Sequence, residues 1–310
     1  MSDLSVLIPA RNEEFLNLTI ANILDNIRGN TDIIVVLDGY TEKVINDHRV
    51  DVVKLPTSIG QRAATNMAAR LSSAKFIMKL DAHCAVDQGF DIKLMSTCEP
   101  SWVVIPRMYN LHGFDWECKK CGNRTYQGPK PGSCEKCDNA IEFEKVIVWQ
   151  PRLSRKTDYA RFDNQLIFQY WGSYGKREEV KAQGDISDVM SSVGACWFMH
   201  RERFWELGGC DEAHGSWGQF GTEWACKSWL SGGRQVVNKN TWFSHMFRTQ
   251  PGFGFPYPLS GNAVDRARNY SRWLWNLEKP KEMPNWAGAI RPLSWILDKF
   301  YPIPDWHNDN

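Results

Sequence analysis

Short apolar runs alternate with helical patterns through the first third of the chain, and this alternation constrains the fold more than any other feature. Four runs predict buried strands: LSVLIPA, TDIIVVLDG, VDVVKLP and KFIMKL. Between them, residues 11–27 and 61–71 carry apolar or alanine side chains at helical spacing. Continuous apolar strands separated by helices are typical of a parallel sheet covered by helices on both faces. We therefore predict a Rossmann-like α/β fold with a mostly parallel central sheet.

Two acidic residues lie where predicted strands end. Asp38 closes the second strand, and Asp81 follows the fourth, two residues before His83. Ligands of such sheets bind beyond the carboxyl ends of the strands. Residues two apart on a strand face the same side, so Asp81 and His83 can reach one divalent ion, with manganese favoured over magnesium by the imidazole. The alternatives are that each Asp only caps a turn and that His83 is an ordinary core histidine.

Four cysteines form two close pairs, Cys118-x-x-Cys121 and Cys134-x-x-Cys137, with twelve residues between the pairs. Four thiolates on two tight turns match tetrahedral coordination, so the spacing predicts a structural Zn2+ site in a small ribbon. Disulfides are the alternative. The segment is also basic, with Lys119, Lys120, Arg124, Lys130 and Lys136. Such a module can staple a long loop, hold an acceptor or bind a nucleic acid backbone.

Composition and charge narrow the class of protein only coarsely. The 37 Lys and Arg residues are balanced by 36 Asp and Glu residues, so no overall field indicates a polyanionic partner. The N-terminal residues lack the pattern of a signal peptide, and no run reaches the roughly 18 apolar residues of a membrane helix. We therefore expect a cytoplasmic protein without a membrane partner. Nothing in the sequence indicates an oligomeric state.

Three ordered segments share motifs with one enzyme family. They are KFIMKLDAHC, residues 194–233 with their WELGG, WG and KSWLSGG motifs, and SHMFRTQPGFGFP. These segments resemble the Asp-x-His, Trp-Gly and His-x-Phe-Arg regions of the polypeptide N-acetylgalactosaminyltransferases, which are family 2-like (GT2) glycosyltransferases. The resemblance spans roughly residues 4–272 apart from the Cys-rich segment, and several motifs in order are more specific than any one alone. The resemblance implies a GT-A fold, and the cysteine spacing predicts a zinc ribbon inserted into it.

The resemblance also implies a site for a UDP-sugar donor and a divalent metal such as Mn2+. Asp81 and His83 match the metal ligands of the Asp-x-His motif, and His245 matches the third ligand. Two imidazoles and a carboxylate leave room for two diphosphate oxygens, as a metal that stabilises a leaving group requires. Trp217 matches a tryptophan close to the sugar and pyrophosphate.

Further residues match positions that contact the nucleotide in that family. Asp38 matches the acidic residue at the uridine, and Arg248 matches the arginine that holds the diphosphate. The remaining matches lie at the turn that ends the first strand and after the third strand: Pro9, Ala10, Arg11 and Arg62. A solvated helix charge is the alternative for Arg62. The resemblance thus implies a complete nucleotide site.

The chain also departs from the family pattern. The family's Trp-Gly-Gly-Glu-Asn reads Trp217-Gly-Gln-Phe-Gly here, so the sugar-contacting Glu-Asn pair is absent in that register. A second register, Phe-Gly-Thr-Glu223, resembles the Phe-Gly-Glu-Asp of ordinary family 2 enzymes, with Glu223 as the acidic catalytic residue. The resemblance favours retention of configuration. An inverting reaction needs a carboxylate base, for which Glu223 and Asp211 are the candidates.

These features predict four segments and one leading function. The segments are a nucleotide-binding half (1–112), a zinc-ribbon insertion (113–140), an acceptor and metal half (141–272) and a Trp- and Pro-rich C-terminal extension (273–310). The predicted function is transfer of a hexosyl or N-acetylhexosaminyl group from a UDP-sugar to a hydroxyl. The favoured acceptor is a hydroxymethylated pyrimidine in DNA, as in phage-type DNA modification. The alternatives are a polypeptide Ser or Thr and a catalytically inactive nucleic-acid-binding protein.

Overall fold

The computed structural model describes residues 1–137 and 141–306. The ends of the predicted segments 113–140 and 273–310 therefore lie outside the described residues. The strands are β1 Leu4–Ala10, β2 Thr31–Asp38, β3 Val50–Leu55, β4 Phe76–Leu80, β5 Cys84–Val86, β6 Trp102–Cys118, β7 Arg124–Tyr126, β8 Phe143–Thr157, β9 Ala160–Phe162, β10 Phe168–Tyr170, β11 Ile186–Asp188, β12 Cys196–His200 and β13 Arg234–His245. The helices are α1 Leu16–Asn26, α2 Gln61–Leu71, α3 Phe90–Met95, α4 Glu178–Lys181, α5 Arg201–Glu206, α6 Phe220–Leu230, α7 Gly261–Leu274 and α8 Leu293–Phe300.

The four apolar runs of the first third form neighbouring parallel strands. Strands β3, β2, β1 and β4 lie side by side in that order and pair in parallel. β1, β2 and β4 are almost entirely buried because they lie inside the sheet. The carboxyl ends of these three strands therefore meet at one edge of the sheet, which brings the segments after Ala10, Asp38 and Leu80 together.

The second half of the sheet is mixed rather than parallel. β12 lies antiparallel between β4 and β6, whereas β13 runs parallel to β6. The predicted α/β fold is thus confirmed, with a mixed central sheet instead of a mostly parallel one. The reason is local: β12 leads directly into α5, and its direction brings residues 192–195 to the same sheet edge as the end of β4.

A close backbone approach fixes α6 at that edge. A Cβ atom on Gly221, in the first turn of α6, would lie only 1.7 Å from the carbonyl oxygen of Ser192. Only glycine allows this approach, so the Phe-Gly-Thr sequence at the start of α6 has a packing role. The helix is buried along its whole length, including its charged residues.

The Cys-rich segment extends from a long hairpin. β6 and β8 pair antiparallel over most of their length, and β7 pairs with the far end of β6. β6 continues through residue 113 to Cys118, so the strand itself enters the segment that the sequence marks as an insertion.

The described part of the C-terminal extension packs on the main core. Leu293, Ile296 and Phe300 of α8 are fully buried, and Trp229 of α6 contacts both Trp295 and Phe300. Within residues 1–137 and 141–306, none of the helices has the length and apolar character that crossing a membrane requires.

Candidate active site

A cluster of three side chains forms at the sheet edge. Asp81 follows β4 as predicted, but it and His83 lie in the turn before β5, so strand alternation does not align them; His245 ends β13. β5 pairs with β13, so Cys84 is opposite His245, and the Met246 N–H donates to the His83 carbonyl (3.2 Å). One ligand atom from each of the three side chains lies within 4.8 Å of the others. Two imidazoles and a carboxylate at this spacing can hold one Mn2+ or a similar ion.

The protonation states of the cluster suit a metal. Burial lowers the pKa of His245 to about 4, so its imidazole is neutral near pH 7. Burial also acts to raise the pKa of Asp81, but the neighbouring Lys79 and the two histidines outweigh it and leave that pKa well below its ordinary value. Metal binding requires neutral imidazoles and an ionised carboxylate, so little proton release is needed at Asp81 and His245.

Lys79, which no sequence motif indicated, holds the Asp81 carboxylate. Its side chain is fully buried in β4, and its ammonium group forms an ion pair with Asp81 Oδ1 and donates to the Gly194 carbonyl (3.0 Å). Gln61 Nε2 donates to the same Oδ1 atom (3.0 Å), whereas Oδ2 lies 3.4 Å from His245 Nε2. One oxygen of Asp81 is thus held by the protein, and the other faces the cluster.

A cavity of about 410 Å³ opens above the cluster. Most of the predicted nucleotide and sugar contacts line it: Pro9, Ala10, Arg11, Asp38, Trp217 and Arg248. The Asp38 carboxylate accepts hydrogen bonds from Ser58 Oγ (2.7 Å) and from the Ile59 and Gly60 N–H groups (2.6 and 3.0 Å). Asp38 therefore fixes the turn before α2 rather than the turn at Gly39, and it lines the cavity as well.

Aromatic side chains form one wall of this cavity. The ring centroid of Phe255 lies 5.5 Å from that of Trp217 and 5.7 Å from that of Tyr257. The guanidinium of Arg11 lies 5.8 Å from the centre of the Tyr257 ring. Aromatic rings beside a cation are suited to stacking against a planar ring or a sugar face.

Glu13 was not predicted either, although it touches two of the predicted residues. It lies in the turn after β1 and is 3% exposed. Its carboxylate accepts from Arg248 Nη2 (2.8 Å to each oxygen) and lies 3.0 Å from His83 Nδ1. Burial acts to raise the pKa of Glu13, but His83 and Arg248 outweigh it and lower that pKa overall. Glu13 is therefore an ionised group that joins the cluster of Asp81, His83 and His245 to Arg248.

The structure does not support the predicted roles of Arg62 and Glu223. Neither lines the cavity, and both are buried in one ion-pair network. Glu223 accepts from Arg62 Nε (2.7 Å), Lys227 Nζ (2.9 Å) and the Asp211 N–H (2.6 Å). These partners lower the Glu223 pKa to about 2 although burial acts to raise it. A carboxylate so enclosed is held away from the cavity, and we propose that Glu223 has a structural role.

Arg62 supports the loop that carries Trp217. Its guanidinium donates to the carbonyl groups of Gly218 (2.7 Å) and Gly215 (3.3 Å), on either side of that residue. The interaction that the resemblance assigned to the nucleotide is thus made to the protein backbone. Asp211, the other candidate base, accepts from the Ala213 N–H (3.0 Å) and the Tyr270 hydroxyl (3.0 Å) and does not line the cavity.

The four cysteines of the inserted segment form a second cluster. The Sγ atoms of Cys118 and Cys137 are 3.6 Å apart, as are those of Cys121 and Cys134. Zn–S bonds of about 2.3 Å in a tetrahedron place sulfur atoms roughly 3.8 Å apart, whereas a disulfide bond is only about 2.05 Å long. All four Sγ atoms lie within 4.8 Å of one another. The cluster therefore fits one Zn2+ and not two disulfides.

We expect Cys134→Ser to remove zinc from the chain, because three thiolates no longer close the tetrahedral site. The measurement is the metal content of the purified protein, together with protease cleavage between residues 118 and 143. Cys98→Ser is the matched control, since Cys98 is buried outside the cluster, and it should retain zinc. Full zinc content in the Cys134→Ser protein would contradict the assignment.

Comparisons with known proteins agree with this architecture. Residues 5–117 match the family described as glycosyl transferase family 2. The Drosophila melanogaster protein named polypeptide N-acetylgalactosaminyltransferase 3 is 25% identical over 305 residues, which cover 86% of this chain and 41% of the relative. The crystal structure of GalNAc-T7 with UDP, GalNAc and Mn2+ superimposes with a TM-score of 0.63 at 18% identity, covering 90% of this chain and 50% of that one.

These similarities confirm the predicted GT-A-like fold. The chain spans half or less of the length of these two relatives, so their activities are not transferred here by similarity alone. Residues 5–117 carry the match to glycosyl transferase family 2, and the chain is homologous to the catalytic domains of polypeptide N-acetylgalactosaminyltransferases rather than to the whole enzymes.

Proposed function

We propose that this protein transfers a sugar from a UDP-sugar to a hydroxyl group on a macromolecule, with a divalent metal such as Mn2+. The observation that carries the proposal is the Asp81, His83 and His245 cluster at the floor of the cavity. Asp38, Arg11 and Arg248 line the same cavity from other strand ends and loops. Two carboxylates, two imidazoles and two arginines around one cavity suit a nucleoside diphosphate with its divalent metal better than a neutral ligand.

Each residue has a distinct task in this proposal. Asp81, His83 and His245 would hold the metal, which when bound offsets the negative charge that develops on the departing diphosphate. Arg248 would bind a diphosphate oxygen through the guanidinium N–H groups that Glu13 does not occupy. Trp217 and the neighbouring Phe255 would cover the sugar end of the donor. The substrate is thereby held at both its phosphates and its sugar.

The carboxylates that line the cavity are all engaged by other protein groups, and this favours a reaction that retains the configuration of the sugar. Among the described residues that line it, Glu13, Asp38 and Asp81 are the carboxylates, and each is already engaged by protein donors. None of these three is free to act as a separate base for an inverting reaction. We therefore propose that the departing phosphate takes the acceptor proton on the same face of the sugar.

The favoured acceptor is a hydroxymethylated pyrimidine in DNA. Residues 113–157 contain nine Lys and Arg against six Asp and Glu, whereas the whole chain is almost neutral. Most of the cations are exposed: Lys119, Lys120, Arg124, Lys130, Lys136, Arg155 and Lys156. A local basic surface on a rigid module suits a phosphate backbone, and the aromatic wall suits a base turned out of its stack.

The alternative acceptor is a Ser or Thr hydroxyl of a polypeptide. It is favoured by the Drosophila relative, which is named for that acceptor. A catalytically inactive nucleic-acid-binding protein is the remaining alternative. The complete metal cluster and the cavity above it argue against that alternative, because a module that only binds nucleic acid needs neither.

Turnover is tested by UDP release from a panel of UDP-sugars in the presence of Mn2+. We expect release with at least one donor and loss of release when the metal is chelated. No UDP binding and no release with any donor would overturn the proposed enzyme function.

The acceptor is tested by comparing DNA that contains hydroxymethylpyrimidine with Ser/Thr peptides. We expect transfer to the modified DNA and none to unmodified DNA. The double variant Lys119→Gln/Lys120→Gln should weaken transfer to DNA. It should also make DNA binding less sensitive to salt: the slope of log K against log salt concentration should become shallower by about 0.7–0.9 for each phosphate that the variant no longer neutralises. Lys181→Gln in α4 is the matched control and should change neither. Transfer to peptides alone would reject the DNA acceptor and leave the glycosyltransferase activity standing.

A further inference from the structure

We infer that Glu13 is a positioning residue that sets both the metal-binding tautomer of His83 and the orientation of Arg248. The inference rests on the proposed function, since it gives His83 and Arg248 their tasks. Its support is geometric: one buried carboxylate contacts Nδ1 of His83 at 3.0 Å and Nη2 of Arg248 at 2.8 Å.

The contact to His83 determines which ring nitrogen is free. A carboxylate can only accept here, so His83 Nδ1 must carry the proton that it donates to Glu13. In the neutral ring, Nε2 is then the nitrogen that has the lone pair, and this atom lies 3.0 Å from His245 Nε2 inside the cluster. Carboxylates that accept from the second nitrogen of a ligating histidine fix its ring and raise its basicity. Glu13 therefore prepares His83 to bind metal through Nε2.

The contact to Arg248 leaves part of the guanidinium available. Glu13 takes only Nη2, while Nε is buried and has no hydrogen-bond partner within the part of the chain that the structure describes. The guanidinium lies 5.1 Å from the Phe253 ring centre and 5.9 Å from that of Phe15, so it is held between two rings. An arginine that is fixed in this way and lines the cavity retains donors for an anion.

Only an ionised carboxylate satisfies both neighbours at once. In Glu13→Gln, the amide oxygen can accept from Arg248, but its NH2 group then faces His83 and favours the tautomer with the proton on Nε2. If the amide turns over, His83 is satisfied and Arg248 faces a donor instead. In Glu13→Asp the carboxylate keeps its charge but is one methylene shorter, so it cannot reach both partners from the same backbone position.

A general structural role makes different predictions from a positioning role. Glu13 begins the turn into α1, and the Phe15 N–H donates weakly to it (3.3 Å). If that were its main task, Glu13→Gln would keep the turn through its amide oxygen and bind metal normally. A positioning role instead requires that metal and donor binding weaken in a protein that is still folded.

The test compares Glu13→Gln with Glu14→Gln, which removes the neighbouring exposed carboxylate that pairs with Lys145. Four quantities are measured: Mn2+ affinity by calorimetry without donor, the ¹⁵N shifts of the His83 ring, and KM and kcat for the donor. We expect Glu13→Gln to weaken Mn2+ binding by about 10–100-fold and to move the His83 proton from Nδ1 to Nε2. The donor KM should rise by more than kcat falls once Mn2+ is saturating. Glu14→Gln should match the wild type.

The outcomes separate this inference from the proposed function. Unchanged Mn2+ affinity and an unchanged tautomer in folded Glu13→Gln would overturn the inference, whatever the enzyme turns over. Mn2+ affinity and the His83 tautomer need no sugar donor, so they remain informative if the wild type transfers no sugar. A wild type that binds Mn2+ but has no turnover with any donor would overturn the proposed function alone. If Glu13→Gln fails to fold, Arg248→Lys supplies the second test, since it should leave the His83 tautomer intact and raise only the donor KM.

Discussion

Replacement of His245 by alanine is expected to lower kcat/KM for sugar transfer by about 10³-fold or more, since a metal supplies several kcal/mol at a leaving group and each 1.4 kcal/mol is a factor of ten. His245 is the third ligand of the cluster and lies on a strand that reaches the site from the other half of the sheet. Without it, Asp81 and His83 offer only two protein ligands. The measurements are initial rates of transfer and Mn2+ affinity.

The substitution used at Asp81 must keep a hydrogen-bond acceptor for the buried Lys79 ammonium group. Alanine at position 81 would leave the fully buried ammonium of Lys79 without its carboxylate, and breaking a buried pair costs about 3–5 kcal/mol. Asp81→Asn keeps an oxygen for Lys79 but removes the charged ligand, so it should lose activity with less effect on stability. His48→Ala is the control because the His48 side chain is 88% exposed. Wild-type rates in folded His245→Ala and Asp81→Asn proteins would refute the metal site.

Glu223→Ala is expected to lower the free energy of unfolding by about 3–5 kcal/mol, since it removes the carboxylate that pairs with two buried cations. Arg62 and Lys227 are 1% exposed and both contact this carboxylate. The same change should loosen the loop at Trp217, because Arg62 holds the carbonyl groups on both sides of it. Urea unfolding measures the loss of stability.

This experiment also distinguishes the structural role of Glu223 from the catalytic one. A catalytic base would lose kcat on substitution while the unfolding midpoint stayed near the wild-type value. In the structural role, the effects of Glu223→Ala and Arg62→Ala on stability should be strongly non-additive, since each removes the same ion pair. Glu178→Ala removes an exposed ion pair with Lys181 and is the control. Its effect should be small because surface pairs contribute little.

The elements of the parallel half follow from local patterns. The periodicity predicts helix α2 over residues 61–71, where the structure has it at Gln61–Leu71, and the four apolar runs form β1 to β4. The pattern of apolar residues that forms a strand or a helix extends over only a few neighbouring residues, so the sequence shows it directly. The cysteine pairs can be recognised in the sequence for the same reason, because zinc coordination imposes a short spacing within each pair.

The sequence by itself thus determined the α/β core and the cysteine cluster, and through a family resemblance it predicted the three residues that the structure brings together as a candidate metal site. Only the tertiary structure decided how charged groups are paired. Arg62 and Glu223 are 161 positions apart, and Glu13 and Arg248 are 235 apart. No local pattern shows which arginine a carboxylate will meet across such a distance. Folding assigned Arg62 and Glu223 to each other inside the protein, and it brought Glu13 and Lys79 to the metal cluster, because a buried charge must have a partner wherever the chain provides one.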